Sequence, residues 1–423
     1  MGEREFSTPR CVKTRSKDLA VFGGVPAFGE PLHVGRPEIG NRAHLLARIN
    51  DILDRQWLTN DGRYVQEFER RTADLLGVGH CIAMCNATVA LEILIRALGL
   101  RGEVIVPSFT FVATAHALQW QGITPVFGDV DPDTHLIDAA RIEALITERT
   151  TGLLAVHLWG RPCDVETLSA IAYRHKLELV FDAAHAFSCS YRGRMIGNFG
   201  HAEVFSFHAT KFVNTFEGGA VVTNDGELAA RLRLMRNFGF ASPDSVVRLG
   251  TNGKMDEVSA AMGLTGLDNL DDVVAVNYRC YKAYERALTG IPGIKLLTYT
   301  DTERANYRYI VLEVDQAQTR ISRDHLTQIL HAENVLARRY FYPGCHRSEP
   351  YSTLYPEARR FLPETEKLAE RVLCLPTGSA VSADAIDAIS HLMRLAIADG
   401  AELTALLSRE SDEDVPVARR KAL

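Results

Sequence analysis

"GLLAVHLWGRPCDVETLSAIAYRHKLELVFDAAH", Gly152 to His185, reads as strand, helix and strand in succession. "GLLAVHLW" is a short apolar run, "DVETLSAIAYRHK" carries its apolar residues at helical spacing, and "LELVFDAAH" is a second apolar run that ends on a carboxylate. The same rhythm extends on both sides, from about residue 80 to residue 235. "HCIAMC", "EVIVPS" and "ITPVFGDV" read as strands, and "TVALEILIRALGL", "FVATAHALQWQ" and "DAARIEALIT" as helices, the last with Ile142, Leu145 and Ile146 on one face. A βαβα alternation predicts an α/β fold with a large, mostly parallel sheet covered by helices on both faces. Ligands of such sheets lie beyond the carboxyl ends of the strands, so the residues just after each apolar run are the ones to inspect.

The rest of the chain frames that sheet. Leu267, Leu270, Val274, Tyr278, Tyr281, Tyr284 and Leu288 step by three and four and predict one long amphipathic helix. Mixed strands ("RYIVLEV") and a helix ("DHLTQILHAEN") follow. The division expected is a flexible extension over 1–18, a large α/β domain over 19–266, a smaller α+β domain over 267–405 and a disordered, charged tail over 406–423. The composition, 46% hydrophobic and 24% charged over 423 residues, is that of a soluble protein. A net charge of −6 argues against a nucleic-acid partner, and no apolar run is long enough to span a bilayer. The N-terminal stretch lacks an apolar signal core, and the eight cysteines form no Cys-x-x-Cys pair. Structural thiols, no metal site and a cytoplasmic location are expected.

Chemistry collects at the strand ends. Asn86, Ala87 and Thr88 sit between a strand and a first helical turn, where free N–H groups make either a simple N-cap or a phosphate seat. Phe109 and Phe111 follow the next strand; core packing of both is the usual fate of Phe, and the functional reading is that one of them lies flat over a planar ring. Asp182 ends a buried strand, a costly position unless it meets a cation such as a protonated ring nitrogen, and His185 is close enough to serve an adjacent oxygen. In "SFHATKF", Ser206 and Thr210 offer hydroxyls and Lys211 an amine that partial desolvation can turn into a nucleophile. A phosphate seat, an aromatic lid, a carboxylate for a ring nitrogen and a reactive lysine are the parts that pyridoxal 5'-phosphate requires.

With "VPSFTFVATAHAL", "FDAAHAF", "FSFHATK", "FEGGAVVTND" and "GTNGKMDEVSAAMGL" in hand, the chain resembles the DegT/StrS sugar aminotransferases, fold-type I pyridoxal-phosphate enzymes, from about Leu19 to Leu373. The resemblance implies that Lys211 is the catalytic lysine, binding the cofactor covalently and carrying the proton during transfer. It implies that Asp182 pairs with the pyridine nitrogen, His185 contacts the phenolic oxygen, Phe111 stacks on the ring, and Ala87, Thr88 and Ser206 bind the phosphate. Asn252 resembles an asparagine that reaches the phosphate of the neighbouring subunit, which implies a homodimer. Asn86, Gly253 and Lys254 depart from the usual small, aromatic and arginine residues there. His208 and "RRYFYPGCH", with Tyr340, Tyr342 and His346, resemble segments near the sugar nucleotide, although the latter also reads as core aromatics and surface arginines.

The implied reaction is two-stage transamination from L-glutamate to a nucleotide-linked keto-sugar, with dTDP-4-keto-6-deoxyglucose as the acceptor and dTDP-4-amino-4,6-dideoxyglucose as the product, for a secondary metabolite or a surface glycan. A 3-keto-sugar or cyclitol aminotransferase is the alternative within the fold. The related 3-dehydratases carry His where Lys211 stands. A regulatory sensor that keeps the fold without turnover is the non-enzyme alternative.

Overall fold

The computed structural model describes residues 8–412. A seven-stranded sheet is built from β1 (His80–Met84), β2 (Glu103–Pro107), β3 (Thr124–Gly128), β4 (Thr150–Val156), β5 (Glu178–Asp182), β6 (Ala202–Ser206) and β7 (Gly219–Thr223). Its order is β1-β7-β6-β5-β4-β2-β3, and only β7 runs antiparallel to its neighbours. Both faces are buried: Ile82 and Met84 pack with the helix Ala87–Ala97, while Cys81 and Ala83 pack on the other side with Phe68 and Ala260. That double burial is why these strands read as unbroken apolar runs. The mostly parallel α/β sheet expected from the sequence is therefore present.

A second, antiparallel sheet follows, with β8 (Ile294–Leu296), β9 (Ile310–Val314) and β10 (Val372–Leu375) in that order. It packs with the helices Leu270–Leu288, Arg323–Ala332 and Ala383–Ala398 around one apolar cluster. Among the described residues no helix is long and apolar enough to cross a membrane.

Three local expectations are corrected. The long helix does not start at Leu267: one helix ends at Asp268 and the next begins at Leu270. Asn269 makes the break, its side-chain Nδ2 donating to the carbonyl of Thr265 at 2.8 Å. "DAARIEALIT" forms two 3₁₀ turns, Ala139–Arg141 and Glu143–Leu145, in place of an α-helix. The tail expected to be disordered from 406 continues a helix, Gly400–Asp412, whose Leu403 and Leu407 are buried. The N-terminal extension is ordered where it is described: Pro9 bridges Phe28, and Lys13 is buried with its ammonium on the carbonyl of Asp18 at 2.8 Å. The remaining parts of those two terminal segments, 1–7 and 413–423, lie outside the described residues.

Candidate active site

Strand register assembles one end of the large sheet. Gly219 pairs with both Met84 and Ser206, so one glycine separates Ser206 from the strand that leads into the helix Ala87–Ala97. Asn86 caps that helix, its Oδ1 accepting from the Val89 N–H at 2.8 Å. The first-turn N–H groups of Ala87 and Thr88 have no intrahelical acceptor and can receive an anion. The two readings of this motif thus fall on different residues, the cap on Asn86 and the open donors on Ala87 and Thr88. Gly219 permits the close approach, since a Cβ there would stand 2.6 Å from the Ala87 nitrogen. Gly219→Ala is expected to cost about 1–3 kcal/mol of stability and to weaken cofactor retention, read by thermal unfolding with and without pyridoxal phosphate.

Asp182 ends β5, paired with Val204 on one side and Val156 on the other. Its Oδ1 accepts from the Ala184 N–H at 3.0 Å and its Oδ2 from the Thr114 hydroxyl at 2.8 Å. Burial raises its pKa; the Ala184 and Thr114 hydrogen bonds and the nearby Lys211 charge pull the other way. A carboxylate in this state gains most from a protonated nitrogen brought against it. Thr114 escaped the sequence reading. It lies three residues beyond Phe111 on the helix Val112–Gln119, and only the fold, which brings its hydroxyl to Asp182, reveals its partner.

Lys211 follows β6 in a turn closed by its N–H on the His208 carbonyl at 2.8 Å. Its Nζ donates to the Tyr309 hydroxyl at 3.2 Å. Burial lowers the amine to about 8, Arg308 adding to the effect and Asp182 opposing it. His185 accepts the Trp159 backbone N–H at its Nδ1, 3.4 Å away, which leaves the proton of the neutral ring on Nε2. Burial, and then the Lys211 charge, hold that imidazole well below its usual pKa.

A distant segment completes the constellation. Asn306 donates to the carbonyls of His185 and Phe187 at 2.9 and 3.1 Å, Arg308 donates to the carbonyl of Thr210 at 3.1 Å, and Tyr309 meets Lys211. None of these three is marked by sequence pattern, because "ANYRY" reads only as the approach to a strand.

The structure separates the two phenylalanines. Phe109 is 1% exposed and packs edge-on against Trp159 and Phe341, whereas Phe111 is 59% exposed at the sheet end, free to cover a ring. Phe111 also lines a cavity of about 510 Å³ with Arg338, Arg339, Tyr340 and Tyr342. Tyr340 stacks on Phe341 at 5.1 Å, and Tyr342 lies against the guanidinium groups of Arg339 and Arg323 at 4.8 and 5.3 Å. His208 is exposed and its Nδ1 bonds the Thr210 hydroxyl at 2.9 Å. Asn252 is exposed, its Oδ1 accepting from Lys254 at 2.8 Å, on a loop whose Gly253 carbonyl receives the Cys85 N–H.

His346 is a correction. It is 3% exposed, with Nδ1 on the Ser108 hydroxyl and Nε2 on Glu366, each at 2.7 Å. Both nitrogens are spent on the protein, so His346 ties β2 to the C-terminal segment and has no group left for a sugar nucleotide.

Taken together, the donors fit pyridoxal phosphate: open N–H groups and a hydroxyl for an anion, a buried carboxylate for a ring N–H, an imidazole N–H for an oxygen and a partly neutral amine for an aldehyde. Comparison with known proteins agrees. A profile of the DegT/DnrJ/EryC1/StrS aminotransferase family matches residues 41–394. The dTDP-4-amino-4,6-dideoxy-D-glucose transaminase of Escherichia coli is 34% identical over 85% of this chain and 97% of its own. The GDP-perosamine synthase of Caulobacter vibrioides is 35% identical over 81% of this chain and 92% of its own. The crystal structure of DesI in the presence of its TDP-sugar product superposes with a TM-score of 0.89 at 51% identity, covering 93% of this chain and 99% of that one.

Proposed function

The chain belongs to the DegT/DnrJ/EryC1/StrS aminotransferase family, and from that premise we propose that it moves the amino group of L-glutamate to dTDP-4-keto-6-deoxyglucose, giving dTDP-4-amino-4,6-dideoxyglucose. The observation that carries the chemistry is the Lys211 amine, lowered to about 8 beside the buried carboxylate of Asp182. The choice of sugar is supported by the transaminase from E. coli and by DesI, whose structure holds a TDP-sugar.

When bound, pyridoxal phosphate supplies the electron sink and carries the amino group between the two substrates. Lys211 takes the proton from the amino-bearing carbon of the donor in the first half of the reaction and supplies one to the amine-accepting sugar carbon in the second. Asp182 would keep the proton on the ring nitrogen, and the His185 Nε2–H would serve the phenolic oxygen. Ala87, Thr88 and Ser206 would hold the phosphate, and Phe111 would cover the ring and exclude water from one face. Tyr340, Tyr342 and His208 border the space left for the sugar nucleotide. The working unit is a homodimer in the cytoplasm, with Asn252 extending toward the partner's phosphate; its exposure and its place on a loop beside β1 support this.

The test is a single turnover of the amine-loaded protein with a panel of keto-sugar nucleotides, the products identified by NMR. A 4-amino-4,6-dideoxy sugar on dTDP is expected. Turnover of a 3-keto sugar or a cyclitol, with none of the 4-keto substrate, would overturn the assignment of the acceptor.

A further inference from the structure

We infer that Tyr309 is a positioning residue of the amino transfer, its hydroxyl holding the Lys211 amine at the nitrogen that carries the proton. This rests on the aminotransferase reading above.

Tyr309 is buried at the entry to β9, with its Oη 3.2 Å from Lys211 Nζ. The ring is fixed by its neighbours. It lies 4.3 Å from His185 at 30° and 5.6 Å from Trp159 at 62°, and the Tyr309 carbonyl accepts the Tyr299 hydroxyl at 3.0 Å. Two residues just before it hold the turns that carry the other groups: Arg308 on the Thr210 carbonyl and Asn306 on the His185 carbonyl. One short segment from the second sheet therefore braces the Lys211 turn, braces the His185 turn and sets a single hydroxyl on the amine. The charged and titratable groups facing that amine are Asp182, Arg308 and the neutral His185.

A phenol suits an amine that changes protonation state. Its oxygen accepts from the ammonium, and its O–H donates to the lone pair of the neutral amine. In the first half-reaction the neutral Lys211 amine takes the proton from the amino-bearing carbon of glutamate and becomes an ammonium. It would then pass that proton to the cofactor carbon that receives the amino group. Tyr309 gains and loses none, so the step balances with no second acid or base. What the hydroxyl supplies is aim, keeping the amine pointed through both transfers.

Tyr309→Phe keeps the ring stack and removes only the hydroxyl. In the cofactor-free protein, chemical labelling of Lys211 against pH, read by mass spectrometry, is expected to show a midpoint lower by about half a unit, because the ammonium loses an acceptor. In the loaded enzyme kcat is expected to fall roughly 10–100-fold, with KM for glutamate within about twofold and a larger isotope effect from glutamate deuterated at the reacting carbon. A kcat within about threefold of wild type would overturn the proposal whatever the labelling shows. If the phenylalanine variant does not fold, 3,5-difluorotyrosine at 309 keeps the shape and makes the phenol more acidic; an unchanged midpoint and an unchanged kcat then overturn the proposal. A wild type that transfers no amino group from any donor means that the aminotransferase reading has failed, and the labelling arm still decides whether Tyr309 holds the amine.

Discussion

Lys211→Ala removes amino transfer: kcat is expected to drop by at least roughly 10³-fold, since one amine serves as the attachment point and as the acid–base group of both half-reactions. Pyridoxal phosphate added to wild-type protein is expected to give a visible absorbance band and, after borohydride reduction, a cofactor fixed at residue 211. In the alanine variant the reduced cofactor is washed away. Wild-type capture of the cofactor should also depend on pH in one direction. The amine is lowered to about 8, so it is mostly protonated below that value and mostly neutral above it. The capture rate therefore rises as pH increases through about 8 and levels off beyond. Borohydride trapping that persists in Lys211→Ala would show that another amine holds the cofactor. A flat pH profile would show that burial and the Arg308 charge do not lower the amine against the opposing pull of Asp182.

Asp182→Asn separates charge from shape. An amide at 182 can keep both present contacts: its oxygen accepts from the Ala184 N–H, and its NH₂ donates to the Thr114 hydroxyl, which turns to accept. What it cannot supply is an anion for the ring nitrogen. Turnover is expected to fall roughly 10²–10³-fold, comparable with the loss of a buried electrostatic partner in other active sites. Stability should move the other way. The Asp182 carboxyl has a raised pKa in the fold because burial disfavours its charged form. A raised carboxyl contributes stability below its unfolded pKa and loses it as pH rises through the folded value, so at neutral pH the charge is a cost. The cofactor-free asparagine variant is therefore expected to melt no lower than wild type while the loaded enzyme is crippled. A variant that melts well below wild type would show that the carboxylate holds the fold, and near-normal kcat would remove Asp182 from the mechanism. An aspartate kept at a cost to the empty fold is the usual mark of a site built for a ligand.

The sheet was legible in the sequence because its determinants are local. Buried strands read as short apolar runs, helices as spaced ones, and the alternation alone specifies parallel pairing with ligands at the carboxyl ends. Ala87, Thr88, Asp182, Ser206 and Lys211 could be singled out for the same reason: each lies within a few residues of the end of an apolar run. What only the tertiary structure decided is which distant groups meet them. Phe109 and Phe111 are two residues apart in one loop, yet one is sealed by Trp159 and Phe341 and the other faces out. His346 lies in a segment that resembles those near the sugar nucleotide, yet Ser108 and Glu366, from far along the chain, consume both its nitrogens. Thr114, Asn306, Arg308 and Tyr309 stand in unremarkable sequence and acquire their roles when a helix and a second sheet dock on the strand ends. Periodicity reports which face of an element is buried; it carries no information about the partner across the interface, and in this protein that partner brings Tyr309 to the lysine and Thr114 to the aspartate.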